Sequence, residues 1–332
     1  MELIEDESLD VLTAADDNFH KPESDRWAHE TAWFSWFVPE ASIGGWAYHW
    51  IRPNIGVTGG GVWVWDPSTT TYFEAPYFTG YSNQPLEADR DLRNHRFPSG
   101  LKLRMVESLH KYELRFQDPD LLSFDLVFES VMPPWVGSLV GEPAHAIHLD
   151  QFGRLTGEMT LHGSTYHVDC IASRDRTWHA RDERWKRGAI DYCDAANDSA
   201  GVAFLVVSGR VFVPPELDAR RVQLEDIHSG YLVRDARRLR LVGGSRIVER
   251  DVETGCIEQI TINAMDSKGR TVSATGIGVS KIATPNPGVH GILWTSLIKW
   301  TFDDGVIAWG QDQEAWPIQQ WSAFRRAAKS AK

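Results

Sequence analysis

Gly153-Arg-Leu-Thr-Gly157-Glu-Met-Thr-Leu161 and Thr165-Tyr-His-Val-Asp169-Cys-Ile171 flank the short turn His162-Gly163-Ser164. Apolar and polar residues alternate on both sides of a glycine-bearing turn, which predicts an antiparallel β-hairpin. The hairpin lies near the midpoint of 332 residues, in a stretch from His145 to Trp185 that holds five of the twelve histidines. It runs directly into a dense knot, Arg174-Asp175-Arg176-Thr177-Trp178.

Toward the N-terminus the same style continues. Trp27 to Val38 is aromatic and β-branched, apolar on both faces, and reads as a strand with packing on each side. Trp46 to Ile51 and Val57 to Trp65 follow as a meander, with Gly59-Gly60-Gly61 marking a bulge or a close approach to the backbone. Pro76 to Asn94 is polar and reads as a long loop, and Leu101–Leu109, Lys111–Phe116 and Leu121–Val131 alternate. Toward the C-terminus, Gly201–Val213, Gly230–Val233, Arg238–Val242, Cys256–Ala264, Thr271–Val279, Leu293–Trp300 and Gly305–Gly310 read as strands. Only the tail, Gln319 to Lys332, has helical composition. Many short strands and few helices mean a sandwich or barrel architecture, and the length accommodates two barrels of about 150 residues each.

Composition narrows the function. A net charge of −12 argues against nucleic acid or an anionic membrane surface as partner. No apolar run approaches the roughly 18 residues of a membrane span. The acidic start, Met1-Glu-Leu-Ile-Glu5, lacks a signal peptide's basic region, and the three scattered cysteines suit a reducing compartment, so a cytoplasmic location is expected. Fifteen tryptophans, seven of them before residue 66, supply the walls an apolar ligand would need. A homodimer is left open.

Gly157, Leu161, Gly163, Tyr166, Val168 and Cys170, followed by Asp175 and Trp178, form a pattern that resembles the AttH-like and hydroxyneurosporene synthase (carotenoid 1,2-hydratase) proteins. There an equivalent hairpin leads into an Asp-centred knot. The match is closer to a branch carrying Arg-Asp-Arg/His-Ser-Trp-Gly, from which this chain departs at Thr177 and His179. The resemblance implies an all-β fold of two tandem lipocalin-like antiparallel β-barrels, with an apolar pocket and no bound cofactor. On that basis residues 1–25 are an N-terminal lead-in, 26–180 the first barrel and 181–332 the second.

Asp175 is the leading candidate catalytic residue. A carboxyl in apolar surroundings would be pushed toward its protonated form and could donate to an alkene or act as a base, and the matched Asp of the hydratases suggests the same. The other reading is a salt-bridged clasp between domains, formed with Arg174 and Arg176, which would lower its pKa instead. On a regular strand Asp175 faces away from both, so a clasp needs partners on other strands. His148 is a candidate acid/base partner or a buried, hydrogen-bonded structural histidine. It shares a face with Asp150 while His145 lies on the other, a poor spacing for a metal, and no metal site is expected. Glu30, beside the first aromatic strand, is a third candidate or a rim charge. Trp33, Trp36, Tyr48 and Trp63 are candidate substrate-binding walls or plain core. Trp178 would seal the domain junction or face a developing cation. Gly59 to Gly61 lacks the lysine and helix of a phosphate loop, and no nucleophile elbow is present. Two functions fit: a cofactor-independent acid/base enzyme (hydratase/dehydratase, isomerase or cyclase type) acting on a terpenoid, steroid or aromatic molecule, or a non-catalytic carrier of an apolar ligand.

Overall fold

The computed structural model describes residues 2–9, 12–88, 90–137, 147–180, 189–210, 222–285 and 291–330. His145 and residues 181–185 of the central stretch lie outside these.

Among the described residues the fold is two antiparallel sheets with a short strand, a single 3-10 turn at Pro39–Ala41 and one α-helix added. After β1 (Glu5–Asp6), the first sheet holds β2 (Ala28–Val38), β3 (Ile43–Arg52), β4 (Val57–Trp65), β5 (Tyr77–Pro85), β6 (His95–Arg96), β7 (Lys102–Glu107), β8 (Lys111–Asp118), β9 (Leu122–Ser130), β10 (Trp135–Gly137), β11 (Ile147–Leu161) and β12 (Ser164–Ala180). Its order is β5-β4-β3-β2-β12-β11-β9-β8-β7-β6, a curled half-barrel in which β10 continues the line of β9 along β11. The second sheet holds β13 (Ala189–Asn197), β14 (Val202–Arg210), β15 (Val222–Arg234), β16 (Arg237–Arg250), β17 (Ile257–Asp266), β18 (Thr271–Pro285), β19 (Gly291–Phe302) and β20 (Ile307–Pro317). A pairing of β16 with β17 closes these eight strands into a barrel. The helix α1 (Ile318–Ser330) lays Trp321 and Phe324 against Trp294 and Trp316.

The central hairpin is longer than its sequence pattern suggests. Pairing runs from Leu161 opposite Ser164 to Ile147 opposite Trp178, so the knot is the distal end of β12. The turn residues His162 and Gly163 both have positive φ, 48° and 80°, as a two-residue type I′ connection requires. At Gly59 the β4–β5 register shifts, and the ring of Trp50 lies where a side chain would stand, so the triple glycine supplies both the bulge and the close approach. The segment 76–94 is not wholly loop: Tyr77–Pro85 forms β5, the last strand at that side of the sheet. Its outer residues are mostly polar and exposed, which removed the alternation a sequence reading depends on.

Alternation on β2 sorts the aromatic residues into two layers. Phe34 and Trp36 point into the first barrel, with Val62, Leu114, Leu126 and Leu155. Trp33 points the other way and packs with Trp46, Trp63 and Trp65 against Ile282 of the closed barrel. The two-faced apolar strand is therefore the shared wall between barrel interior and inter-sheet junction. A hydrogen bond from Trp46 Nε1 to Gln311 Oε1 (2.6 Å) and a second apolar cluster of Trp135, Phe152, Leu205 and Tyr231 also fasten the junction.

Candidate functional site

Arg174 and Arg176 point into the first barrel and are buried there. Burying two guanidinium groups requires partners, and both find them beyond their own strand. Arg174 bonds Gln151 Oε1 (2.8 Å) and Asp17 Oδ1 (2.9 Å), with its guanidinium over the ring of Tyr112 at 4.4 Å. Asp17 also accepts from the Tyr112 hydroxyl and from the Leu109 N–H (2.6 Å). Burial pushes this carboxyl up, but Arg174, Tyr112 and Leu109 together outweigh it and hold Asp17 below its ordinary value. Arg176 bonds Glu30 Oε2 (2.9 Å), the Thr31 carbonyl and the Asn18 carbonyl. The two arginines are thus held within the first barrel rather than between domains, paired with Asp17 of the lead-in and with Glu30.

Asp175 lies on the opposite face, toward the closed barrel. The register sets Asp150, Asp175, Trp33 and Tyr48 side by side across four strands. The neighbouring row is His148, Thr177, Thr31 and Trp50. His148 Nε2 is 3.1 Å from Asp150 Oδ2, and its Nδ1 is 2.7 Å from Thr177 Oγ1. A hydroxyl rotates to donate or accept, so Thr177 supports either protonation state of the imidazole. Tyr192, from β13, donates its hydroxyl to Asp150 Oδ1. Burial, then Asp150 and Asp194, push Tyr192 well above its ordinary value, so it stays a donor. Asp194 accepts from the Ser173 hydroxyl and the Gln311 N–H (2.8 Å). Burial nevertheless carries its carboxyl up to about 7.

His148 and Asp150 line a cleft of about 200 Å³ between the first sheet and β14, β15 and β16. The cleft combines apolar walls, Trp135, Leu205 and Val207, with a buried histidine–carboxylate pair. Such a pair can hold, accept or deliver a proton at a dry surface.

The sequence candidates therefore divide. His148 and Asp175 share the junction face with Trp33, Tyr48 and Trp63. Glu30 lies with Arg176 on the other face, and Trp36 packs on Phe124 inside the first barrel at 4.9 Å. Trp178, also on that inner face, stacks on His20 at 4.4 Å. Tyr192, Asp194 and Ser173 were missed, although the run Asp191-Tyr192-Cys193-Asp194 read as a strand separates Tyr192 and Asp194 from the other two. Among the described residues, the carboxylates close enough to share a cation are Asp191, Glu225 and Glu314, buried inside the closed barrel. Arg246 reaches them, 2.6 Å from Glu225 and 3.1 Å from Glu314, so a guanidinium is the cation of that cluster.

No curated protein matches in sequence. Among solved structures, an AttH protein from Nitrosomonas europaea superposes with a TM-score of 0.56 at 14% identity, covering 93% of this chain and 98% of that one. Kievitone hydratase from Nectria haematococca gives 0.55 at 10% identity, over 92% and 93% of the two chains. CghA gives 0.52 at 11% identity, over 88% and 89%. These likenesses establish the architecture, that of the AttH-like tandem lipocalin-like proteins. A model of the domain of unknown function DUF7064 matches residues 13–317, so the chain belongs to that family.

Proposed function

We propose that the protein is an acid/base enzyme that adds water to, removes water from, or cyclises a small, largely apolar molecule at the junction between its two sheets. The observation that carries this reading is the buried His148–Asp150 pair, 3.1 Å apart, on the wall of a cleft with apolar sides. In it, the pair moves the proton and Tyr192 orients the Asp150 carboxylate, while Asp175, directly across from Asp150 on β12, is the neighbouring carboxylate behind the cleft lining. The kievitone hydratase among the similar structures supports hydration chemistry in this architecture.

The carrier reading is less well supported. Leu92, Phe97 and Leu101 pack inside the first barrel, and the Arg246 network with Ile260, Ile262 and Trp300 occupies the second. The test is incubation of the purified protein with a small-molecule extract in ¹⁸O-labelled water, followed by mass spectrometry. A product gaining labelled water, losing water, or changing retention at constant mass names the reaction. Asp150→Asn and His148→Gln should each lower the rate by about 10²-fold or more with folding retained. A ligand held unchanged by the wild type, or full activity in both variants, would reject the proposal.

A further inference from the structure

The cleft has a second polar edge, contributed by the closed barrel. His228 and Ser229 from β15 and Arg240 from β16 line it opposite His148 and Asp150. We infer that this edge binds an acidic oxygen group, and that the ligand is a small ring-bearing molecule with a carboxylate or acidic phenol. The inference rests on the proposed site and specifies what enters it.

The distribution of donors carries the argument. Asp150 already receives the Tyr192 hydroxyl and faces His148, so the first-sheet side is occupied in holding its own carboxylate. The opposite edge is rich in donors. Arg240 carries five N–H donors and no acceptor, in a fork that matches a carboxylate. Its nearest carboxylate is Glu7, whose Oε2 lies 3.8 Å from Nε, beyond hydrogen-bond length, and the Arg240 side chain is 54% exposed. Arg174, Arg238 and Arg250 contrast with it, each engaged by two or more acceptors and buried. In a chain of net charge −12, an accessible guanidinium on the same apolar-walled cleft as His228, with Glu7 accepting from the Arg240 backbone N–H (2.8 Å) and only 3.8 Å from its side chain, offers an anion its free N–H donors.

Size fixes the rest. A cavity of about 150 Å³ accommodates benzene. At about 200 Å³, the space between the walls has room for one substituted ring. An acid group held at Arg240 would direct the ring inward past Trp135 and Val207, toward His148 and Asp150.

The experiment uses the full chain and two probes of matched shape, benzoate and benzyl alcohol, with binding followed by ligand-observed and ¹⁵N NMR at low salt. Benzoate should bind about tenfold more tightly, equivalent to about 1.4 kcal/mol. The preference should shrink in 0.5 M salt, as screening requires, and vanish in Arg240→Gln. Equal binding of the two probes, or an undiminished preference in Arg240→Gln, would overturn the inference and leave the proposed function standing. If neither probe perturbs the residues around His148, the cleft is not a ligand site and both readings fall.

Discussion

Three consecutive residues, Arg174, Asp175 and Arg176, serve two layers of the molecule because a strand turns successive side chains to opposite faces. The arginines close the first barrel and Asp175 joins the junction. Asp17 is the weak point of the inner layer, since its removal leaves Arg174 buried without its carboxylate. Asp17→Ala should therefore cost about 3–5 kcal/mol in urea unfolding. A double change, Asp17→Leu with Arg174→Met, should cost less than the single one, because it removes the buried charge along with its partner. A double variant less stable than Asp17→Ala would refute this account. The opposition of Asp175 to both arginines could be read from alternation alone. Their partners could not: Asp17 is 157 residues from Arg174, and nothing local in Asp16-Asp17-Asn18 distinguishes a buried ligand of arginine from a turn.

The β11–β12 hairpin converts sequence spacing into the geometry of the candidate site. A two-residue turn fixes register, and eleven residues back along each strand from Leu161 and Ser164 stand Asp150 and Asp175, directly opposed. That juxtaposition was within reach of the sequence once the turn was read as two residues; His148 beside Asp150 was read outright. Tyr192 was not legible because it arrives from another sheet. Within the hairpin Gly157 has φ of 146°, and a Cβ there would overlap the Asp125 carbonyl oxygen of β9. Gly157→Ala should destabilise by about 2 kcal/mol or more, through strain and a displaced β9. Gly163, with φ of 80° and open space around it, should accept Asn with a loss of at most about 1 kcal/mol. Equal losses in the two variants would show that register is not anchored at Gly157.

The whole molecule is held by an interface whose polar groups are as deeply buried as its tryptophans. Asp194 titrates near 7 when folded, against an ordinary carboxyl value of 3.8. Between these values the folded chain retains a proton the unfolded chain has released, so this group's contribution to stability falls as pH rises from about 4 to 7 and is level above that. At about 1.4 kcal/mol per pH unit, the full loss is about 4 to 5 kcal/mol. Asp194→Asn should remove this component, so that wild type and variant diverge between pH 5 and pH 8 in denaturant titrations; parallel curves would contradict it. Asp312, also pushed up to about 7 mainly by burial, changes stability in the same direction in both proteins and cancels from the comparison. A sandwich or barrel architecture was legible from turn spacing and alternation, and the resemblance to the AttH-like proteins implied two tandem barrels. The strap formed by β1 was not, since a two-residue strand has no pattern to detect. That strap pairs with β16 in parallel, while Asp6 holds the buried Arg238 at 2.9 Å across 232 residues of chain. Ribosomes add about 5–20 residues per second, so Asp6 waits on the order of ten to fifty seconds for its partner to be made. Throughout that interval Asp6 is without its partner, and the strap is among the last parts of the fold to reach its final place.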